Sequence, residues 1–241
     1  MLHWPIVKRL VVAVDGPSGA GKGTVARAAA RALGYRHVDT GAMYRAVAWR
    51  ARQAGVALDD TAGVAAVAAR ADFELADGVV VIDGHDVTSD IRTPEMDKAA
   101  ALVARNAAVR EVLVARQRAL GADGAVVMEG RDIGTVVFPR AAVKIYLDAS
   151  HEERTRRRAA DPAHASSRAS DVAHVAEDLA ARDKSDSTRS VAPLAQAADA
   201  VYIDTTGLSV ADVVDRVLTL VRERQRSAPH QATGAENASG R

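Results

Sequence analysis

Residues 15–24 read DGPSGAGKGT and constrain the fold more than any other segment of the chain. The pattern G-x-x-x-x-G-K runs from Gly16 to Lys22, after an apolar β-branched run at 10–14 and before a helical pattern at 24–33. A strand, a glycine-rich loop and a helix in this order form the context of a phosphate-binding loop. The alternative is an ordinary glycine-rich turn with a chance lysine. The coincidence of motif and context favours the phosphate loop.

The glycines and the lysine of this loop have separate physical roles. Four glycines permit backbone dihedrals that turn successive amide groups toward one anion, and the following helix N-terminus adds its dipole. Lys22, which we expect to face solvent, supplies a mobile charge for the β- and γ-phosphates. The predicted nucleotide-binding residues are Gly16, Pro17, Ser18, Gly19, Ala20, Gly21, Lys22, Gly23 and Thr24.

One position of the loop departs from the strict motif. Gly23 stands where a serine or threonine usually follows the lysine, and Thr24 comes one residue later. A magnesium ion would then be held through water, by Thr24 or by Ser18, and the sequence leaves these alternatives open. The seven histidines show no spacing that predicts a metal site.

The composition limits the class of protein. A chain of 241 residues suffices for one large α/β domain, or for one domain with an insertion. Its 32 basic and 31 acidic residues give a net charge of +1, which argues against a nucleic-acid scaffold. The sequence has no cysteine, no apolar run near the ~18 residues of a membrane span and no signal-peptide pattern. We therefore expect a cytoplasmic monomer that binds neither nucleic acid nor membranes.

Short aliphatic runs alternate with helical patterns along the chain. The runs lie at residues 10–14, 35–38, 125–128, 143–147 and 201–203. This alternation predicts an α/β fold with a five-stranded parallel sheet covered by helices. Within residues 61–98, two apolar runs flank an Asp-Gly pair, which predicts a hairpin in a small inserted β-unit.

Two further segments differ in composition from this core. Residues 150–189 are rich in charge and serine, so we expect a mobile, arginine-rich lid. Residues 227–241 have almost no bulky apolar side chains, which predicts a disordered tail. The predicted domain therefore spans residues 8–226.

Polar residues follow the second and third core runs. After the second run, Asp39 or Thr40 would cap the next helix, and Thr40 and Arg45 would meet a second phosphate. After the third run, Arg131 and Asp132 place a cation and an anion at the same edge of the sheet. The alternative for this last pair is a structural ion pair on the surface.

Two helical patterns in the lid region carry further charges. Spacings of i, i+3 and i+4 put three guanidinium groups on one helix face, which favours phosphate as their partner over solvent alone. These groups belong to Arg154, Arg157 and Arg158. In the second pattern, Arg182, Asp186 and Arg189 share a face at i, i+4 and i+7, for which the alternative is a surface salt bridge.

From residue 10 to about residue 226 the chain resembles bacterial cytidylate kinases. The matching segments are GPSGAGKGT, DTGAMYR, IRT, VRE, GRDIGTVVFP, DASHEER and RDKSDSTRSVAP. The loop alone indicates a P-loop phosphotransferase, whereas GRDIGTVVFP is far more specific. The resemblance implies a P-loop kinase core with strand order 2-3-1-4-5, a monophosphate-binding insertion at residues 61–98 and a mobile lid at residues 150–189.

The resemblance also implies roles for residues around the acceptor nucleotide. Arg110 and Asp132 look like the readers of the cytosine edge, and Arg182 and Asp186 like the ribose contacts. Ala101 stands where relatives often have a serine that helps to hold the base.

The resemblance implies a separate set of residues that contact the phosphates. Arg45, Arg131 and Arg189 look like the clamp for the acceptor monophosphate, and Thr40 lies where many relatives have serine. The three lid arginines look like the cations that approach the transferring phosphoryl group. The residues implied in catalysis are Lys22, Arg131, Arg154, Arg157, Arg158 and Arg189.

The activity implied by the resemblance is transfer of the γ-phosphoryl group of ATP to CMP or dCMP, with Mg2+, giving ADP and CDP or dCDP in pyrimidine metabolism. Because the acceptor oxygen is already anionic, this reaction needs positioning and charge stabilisation rather than a general base. Two alternatives stay open. One is a P-loop kinase for another nucleotide or small molecule, and the other is a nucleotide-dependent switch, which needs no acceptor site.

Overall fold

The computed structural model describes residues 9–76, 78–161 and 172–227. The strands are β1 (Val11–Asp15), β2 (Arg36–Asp39), β3 (Phe73–Ala76), β4 (Val79–Ile82), β5 (His85–Asp86), β6 (Val126–Glu129), β7 (Val143–Asp148) and β8 (Val201–Asp204). The α-helices are α1 (Lys22–Leu33), α2 (Thr40–Gln53), α3 (Thr61–Arg70), α4 (Pro94–Val103), α5 (Ala107–Leu120), α6 (His151–Ala159), α7 (Val172–Thr188) and α8 (Val210–Ser227). A π-helical turn lies at Ile133–Val137.

The centre of the fold is a parallel sheet in the order β2-β6-β1-β7-β8. Strands β3, β4 and β5 belong to a separate three-stranded sheet. If only the five strands of the central sheet are numbered along the chain, their order is 2-3-1-4-5, as the resemblance implies. Each of the five strands lies within one residue of an aliphatic run in the sequence. The predicted α/β fold class is confirmed.

Both faces of this sheet are covered, which explains why its strands are aliphatic rather than alternating. On one face, the side chains of β1 and β7 pack against α1 and α8, and small residues such as Ala26 and Ala29 let α1 lie close. On the other face, β2 and β6 pack against α5 and the π-helical turn through Val38, Met128 and Ile133. The carboxyl ends of the strands are left as the open edge where a ligand can bind.

The insertion differs in part from its predicted form. Strands β3, β4 and β5 form an antiparallel sheet, so the predicted hairpin is confirmed. Residues 61–70 were expected to belong to a β-unit, but they form α3, whose first turn is capped by Asp60 accepting from the Gly63 amide at 2.9 Å. The alanine-rich segment has helix-forming residues and a capping aspartate, and both outweigh the neighbouring strand signals.

The lid region contains two helices in its described part. Ser150 caps α6 by accepting from the amide of Glu153 at 3.2 Å. Residues 162–171 of the predicted lid and 228–241 of the predicted tail lie outside the described residues, as do residues 1–8. Across the described ranges, no helix is both long enough and apolar enough to span a bilayer.

Candidate active site

The phosphate-loop motif connects β1 to α1. Gly16, Gly19 and Gly21 have φ angles of +145°, +79° and +86°, which favour glycine as the sequence predicts. At Gly16 the reason is also steric, because a Cβ atom would lie 1.9 Å from the backbone oxygen of Leu147 on β7. The loop is therefore shaped by backbone geometry and fixed against the neighbouring strand.

Gly23 behaves differently from the other loop glycines. It lies inside α1, which begins at Lys22 rather than at residue 24, and its φ is not positive. A Cβ atom at this position would lie 3.2 Å from Oε1 of Glu129, which itself lies 2.9 Å from Nε2 of His37. The carboxylate of Glu129 thus fills the space beside the helix start where the usual serine or threonine side chain would extend.

Oxygen atoms suited to magnesium lie around the start of α1. Ser18, Thr24 and Glu129 line one cavity together with Lys22. Hydroxyl and carboxylate oxygens are the donors that Mg2+ takes, usually with waters and phosphate oxygens completing its shell. These residues therefore fit the ion. Within residues 9–76, 78–161 and 172–227, no group of three or more His, Cys, Asp or Glu side chains forms a self-sufficient metal site.

Lys22 is buried, so the expectation of a solvent-facing lysine is wrong. Only 6% of the residue is exposed, and Nζ donates to the Pro17 carbonyl at 2.6 Å. Burial, followed by the repulsion of Arg131, lowers the pKa of Lys22 to about 7. The side chain is folded back over the loop, where an arriving phosphate would restore its charge.

Asp15, the last residue of β1, joins the phosphate loop to the segment after β6. Its buried carboxylate accepts from the amides of Ile133 and Gly134 at 2.8 and 2.7 Å. Burial raises its pKa to about 6, although the two amides oppose the shift. The sequence argument missed this link, and its signal was an acidic residue ending an otherwise apolar strand.

One cavity of about 380 Å³ joins the phosphate loop to the predicted acceptor residues. All eight predicted acceptor residues line it: Thr40, Arg45, Arg110, Arg131, Asp132, Arg182, Asp186 and Arg189. A larger cavity of about 650 Å³ lies between α4 and α7 and shares Asp97, Ala101, Arg158 and Arg182 with the first. We place the chemistry in the smaller cavity because the phosphate loop lines it.

Four of the acceptor-side arginines have a buried nitrogen without a hydrogen-bond partner. These atoms are Nε of Arg45, Nη1 of Arg110, Nε of Arg182 and Nη2 of Arg189. Leaving a buried donor unsatisfied is unfavourable, so such groups call for a ligand or water. Guanidinium groups pair best with phosphate and carboxylate oxygens. The cavity is thus suited to an anionic ligand rich in oxygen.

At one end of the cavity, Arg110 and Asp132 form a buried ion pair. Arg189 approaches the same carboxylate, with Nη2 3.6 Å from Oδ1 of Asp132. The guanidinium of Arg110 also lies 5.8 Å from the ring centroid of Tyr44. Burial raises the pKa of Tyr44 to about 12, so this ring stays neutral. The predicted base-reading pair is brought together within this buried network.

Arg182 and Asp186 of α7 pair with residues of other elements, rather than forming the surface salt bridge that the sequence left open as an alternative. Asp186 accepts from Nε of Arg131 at 2.8 Å, and Nη1 of Arg182 forms an ion pair with Asp97 at 2.9 Å. Burial would raise the pKa of Asp186, but Arg131 and then Arg182 outweigh it and hold the pKa below its usual value. The helix ends at Thr188, so Arg189 lies just beyond it and does not continue its face.

Asp39 and Thr40 have distinct roles at the start of α2. Asp39 is the cap, accepting from the amide of Ala42 at 3.0 Å, while the Thr40 hydroxyl donates to the Glu129 carbonyl at 2.7 Å. Arg45 donates from Nη2 to Asp39 at 2.9 Å. Thr40 and Arg45 nevertheless line the cavity, so a capping interaction and a ligand site coexist in this segment.

The three lid arginines of α6 each pair with a different part of the protein. Arg154 is buried and donates to the Ser18 carbonyl at 3.1 Å, and Arg157 donates to the Thr205 carbonyl at 2.8 Å. Arg158 forms an ion pair with a carboxylate of α4. Because α6 packs against both the phosphate loop and the acceptor side, its guanidinium groups diverge. Their roles in catalysis stay predictions.

The sequence model of the family "Cytidylate kinase" matches residues 12–223 of the chain. The chain belongs to the cytidylate kinase family. The cytidylate kinase of Solibacter usitatus (strain Ellin6076) is 49% identical over 223 residues, which cover 90% of this chain and 94% of that protein. The cytidylate kinase of Geobacillus sp. (strain WCH70) is 49% identical over 217 residues, which cover 88% and 96%. The resemblance to bacterial cytidylate kinases is confirmed.

Relatives of the cytidylate kinase family thus match nearly the whole described chain. The resemblance identified the arginines of the cavity together with Asp132 and Asp186, but it missed three other buried carboxylates. Asp97, Asp15 and Glu129 are buried and pair with arginine, backbone amides and histidine respectively. An acidic residue within an otherwise apolar buried segment was the signal that could have found Asp15 and Glu129.

Proposed function

We propose that the chain transfers the γ-phosphoryl group of ATP to CMP or dCMP, giving ADP and CDP or dCDP. The observation that carries this proposal is the single cavity in which a phosphate loop faces arginines with unpaired buried N–H groups. A nucleotide switch needs no second anion site, so the arginines favour a kinase. Membership of the cytidylate kinase family supports cytidylate as the acceptor.

On the donor side, the phosphate loop and Lys22 bind the phosphates of ATP. When the phosphates arrive, Lys22 leaves the Pro17 carbonyl and becomes fully protonated, since a neighbouring anion favours the charged amine. Ser18, Thr24 and Glu129 would hold Mg2+ directly or through water. The ion, when bound, supplies positive charge to the β- and γ-phosphate oxygens.

On the acceptor side, Arg45, Arg131 and Arg189 bind the monophosphate. Arg131 is oriented for this by Asp186, which accepts from its Nε at 2.8 Å. With the phosphate oxygen aligned toward the γ-phosphorus, transfer needs charge stabilisation rather than proton removal. Arg158, which lines the same cavity, contributes a further positive charge near the transferring group.

The base is read by Asp132 with Arg110. Asp132 accepts a hydrogen bond from the exocyclic amine of cytosine, whereas uracil presents a carbonyl oxygen at that position and would face the carboxylate. A buried polar group left unpaired in this way disfavours the wrong base. Arg182 and Asp186 contact the ribose. Ala101 contributes no hydroxyl to the base, so the discrimination falls on the charged pair.

A coupled assay of ADP release with CMP, dCMP, UMP and AMP tests this function. We expect turnover with CMP and dCMP, a much lower kcat/KM with UMP and AMP, and dependence on added Mg2+. Equal kcat/KM for CMP and UMP would exclude the base assignment, and no turnover with any of the four would exclude nucleoside monophosphate kinase activity. We also propose a cytoplasmic monomer and a lid function for residues 150–189.

A further inference from the structure

Three arginines from three helices converge on one carboxylate, that of Asp97. Asp97 lies in the first turn of α4 and is 7% exposed. Its Oδ1 forms an ion pair with Nη1 of Arg182 at 2.9 Å and accepts from Nη1 of Arg45 at 3.5 Å. Its Oδ2 pairs with Nη2 of Arg158. The carboxylate therefore joins α4 to α2, α6 and α7 at a point that borders the cavity.

Gathering these guanidinium groups without an anion is unfavourable. Burial, followed by the repulsion of neighbouring arginines, lowers the pKa of Arg182 to about 9 and that of Arg158 to about 10. A carboxylate has about four lone-pair sites and can accept from several donors at once. Asp97 thus offsets part of the mutual repulsion in the protein without a nucleotide.

The pairing also leaves part of two guanidinium groups available. Arg45 and Arg182 both contact Asp97 through Nη1, while the Nε atom of each is buried without a partner. A guanidinium is planar and rigid, so holding one end fixes the direction of the others. Asp97 therefore helps to set the orientation in which these Nε–H groups would meet a ligand, with Asp39 holding the other terminal nitrogen of Arg45 at 2.9 Å.

We propose that Asp97 is a positioning residue, which holds Arg45, Arg158 and Arg182 in their binding geometry before the acceptor nucleotide arrives. This inference rests on the proposed function for the identity of the acceptor. Asp97 acts through the arginines and does not itself need to touch the substrate. Its place one helical turn before Ala101 puts the charge at the edge of the acceptor site rather than beside the phosphate loop.

The test compares Asp97→Asn with Glu95→Gln in the full chain. Both remove one negative charge from the first turn of α4, but Glu95 is exposed and pairs with Arg52 at 2.7 Å rather than with the three arginines that contact Asp97. For Asp97→Asn we expect KM for CMP to rise roughly tenfold to a hundredfold, as for loss of hydrogen bonds to a charged group. KM for ATP should stay within about twofold, and kcat should fall less than KM rises, because a bound phosphate can itself gather the arginines. Glu95→Gln should leave all three constants unchanged.

Hydrogen exchange in the protein without nucleotides provides a readout that does not depend on the substrate. We expect faster exchange in α6 and α7 for Asp97→Asn than for wild type or Glu95→Gln, and recovery on addition of saturating CMP. If Asp97→Asn does not fold, Asp97→Glu carries the test. It keeps the charge but displaces it, so KM for CMP should rise by a smaller factor with KM for ATP unchanged.

The outcomes separate this inference from the proposed function. Lack of turnover of CMP by the wild-type chain would contradict the function, whereas the exchange comparison still tests Asp97. An unchanged KM for CMP in the Asp97 variants would overturn the positioning role. A lower KM would overturn it too, since the carboxylate would then compete with the substrate phosphate. Equal rises of KM for both nucleotides would indicate general structural damage and likewise reject the inference.

Discussion

The two halves of the cavity are built on different physical principles. The phosphate loop is one continuous segment whose shape comes from backbone geometry, with Gly16 packed against the β7 backbone and Lys22 folded onto its own loop. The acceptor side is assembled from side chains of several helices and loops, and carboxylates such as Asp97, Asp132 and Asp186 hold its arginines. One half is local in sequence, and the other depends on the whole fold.

The two halves of the cavity therefore depend on different parts of the fold. The donor side consists mainly of backbone groups and one lysine, carried by β1, the loop and α1 and fixed against β7 at Gly16. The acceptor side works only when α2, α4, α6 and α7 bring their charges together. Substitutions on the donor side should therefore affect chemistry directly, while those on the acceptor side should act through the geometry of a charge network.

The largest expected effect is that of Lys22→Met. We expect kcat to fall by about 10²–10³, because the charge that stabilises the transferring phosphoryl group is removed. The fold should persist, since methionine occupies a similar buried volume and needs no hydrogen bond. The measurements are kcat in the coupled assay and the thermal midpoint as the control for folding. Retention of more than about a tenth of wild-type kcat would contradict an essential role for this charge.

The same contrast explains how much the sequence could predict. The strands and the phosphate loop follow from local patterns, so they were located to within one residue in the five core strands. The position of Lys22 was wrong because burial depends on packing that no local pattern encodes. The alternative of an i, i+4 salt bridge between Arg182 and Asp186 considers only one helix, whereas the residues that pair with them, Asp97 and Arg131, approach from other elements.

Of the acceptor residues, Arg110 was reached only through the family resemblance, which also supplied the separate roles of the others. Spacing placed Arg131 and Asp132 at a strand end, but it gave no reason to combine them with Arg110 or Arg189. The structure supplies that reason through the buried pair of Arg110 with Asp132 and the approach of Arg189 to the same carboxylate. Charge networks that cross several elements are the part of a site that a single sequence encodes least directly.

A smaller effect, specific to the sugar, is expected from Asp186→Ala. If Asp186 accepts from the ribose hydroxyls, CMP loses more than dCMP, which lacks one of them. The loss of a hydrogen bond to a charged group predicts a fall in kcat/KM for CMP of roughly tenfold to a hundredfold. Part of this fall should be common to both substrates, because Arg131 loses the carboxylate that orients it.

Measuring kcat/KM for CMP and dCMP in wild type and Asp186→Ala separates the two parts. Asp186→Asn is the matched variant, because it keeps an acceptor oxygen of similar size while removing the charge. A small and equal change for both substrates would remove Asp186 from the acceptor site. A large and equal change would assign it to the orientation of Arg131 alone.

A comparison of two neighbouring arginines of α6 tests whether this helix contributes a specific contact to ATP binding. Both Arg156 and Arg157 pair with Glu153, but Nη1 of Arg157 lies 3.6 Å from the position that a Cβ atom on Gly21 would occupy, whereas Arg156 is exposed. We expect Arg157→Ala to lower kcat/KM for ATP about tenfold, as for one lost charged interaction. Arg156→Ala should change it by less than about twofold. Equal effects of the two substitutions would show that α6 acts by its overall charge.

The smallest expected effect is a pH dependence of ATP binding that originates in Lys22. Burial lowers the pKa of Lys22 to about 7 from its ordinary value of 10.5, so above neutral pH the free protein holds a neutral amine while the unfolded chain keeps its proton. The free energy of unfolding therefore increases as pH rises between these two values, because the unfolded state binds more protons there.

The affinity for ATP changes in the opposite direction and falls as pH rises, because the phosphates favour the charged amine and binding must take up a proton. Between pH 7 and 8 this linkage predicts a loss of ATP affinity of about fivefold. Calorimetry at pH 8 in two buffers with different ionisation enthalpies should report an uptake approaching one proton, and Lys22→Met should abolish it. Proton uptake that persists in Lys22→Met would assign the titration to another group of the cavity and leave the donor side without a titrating lysine.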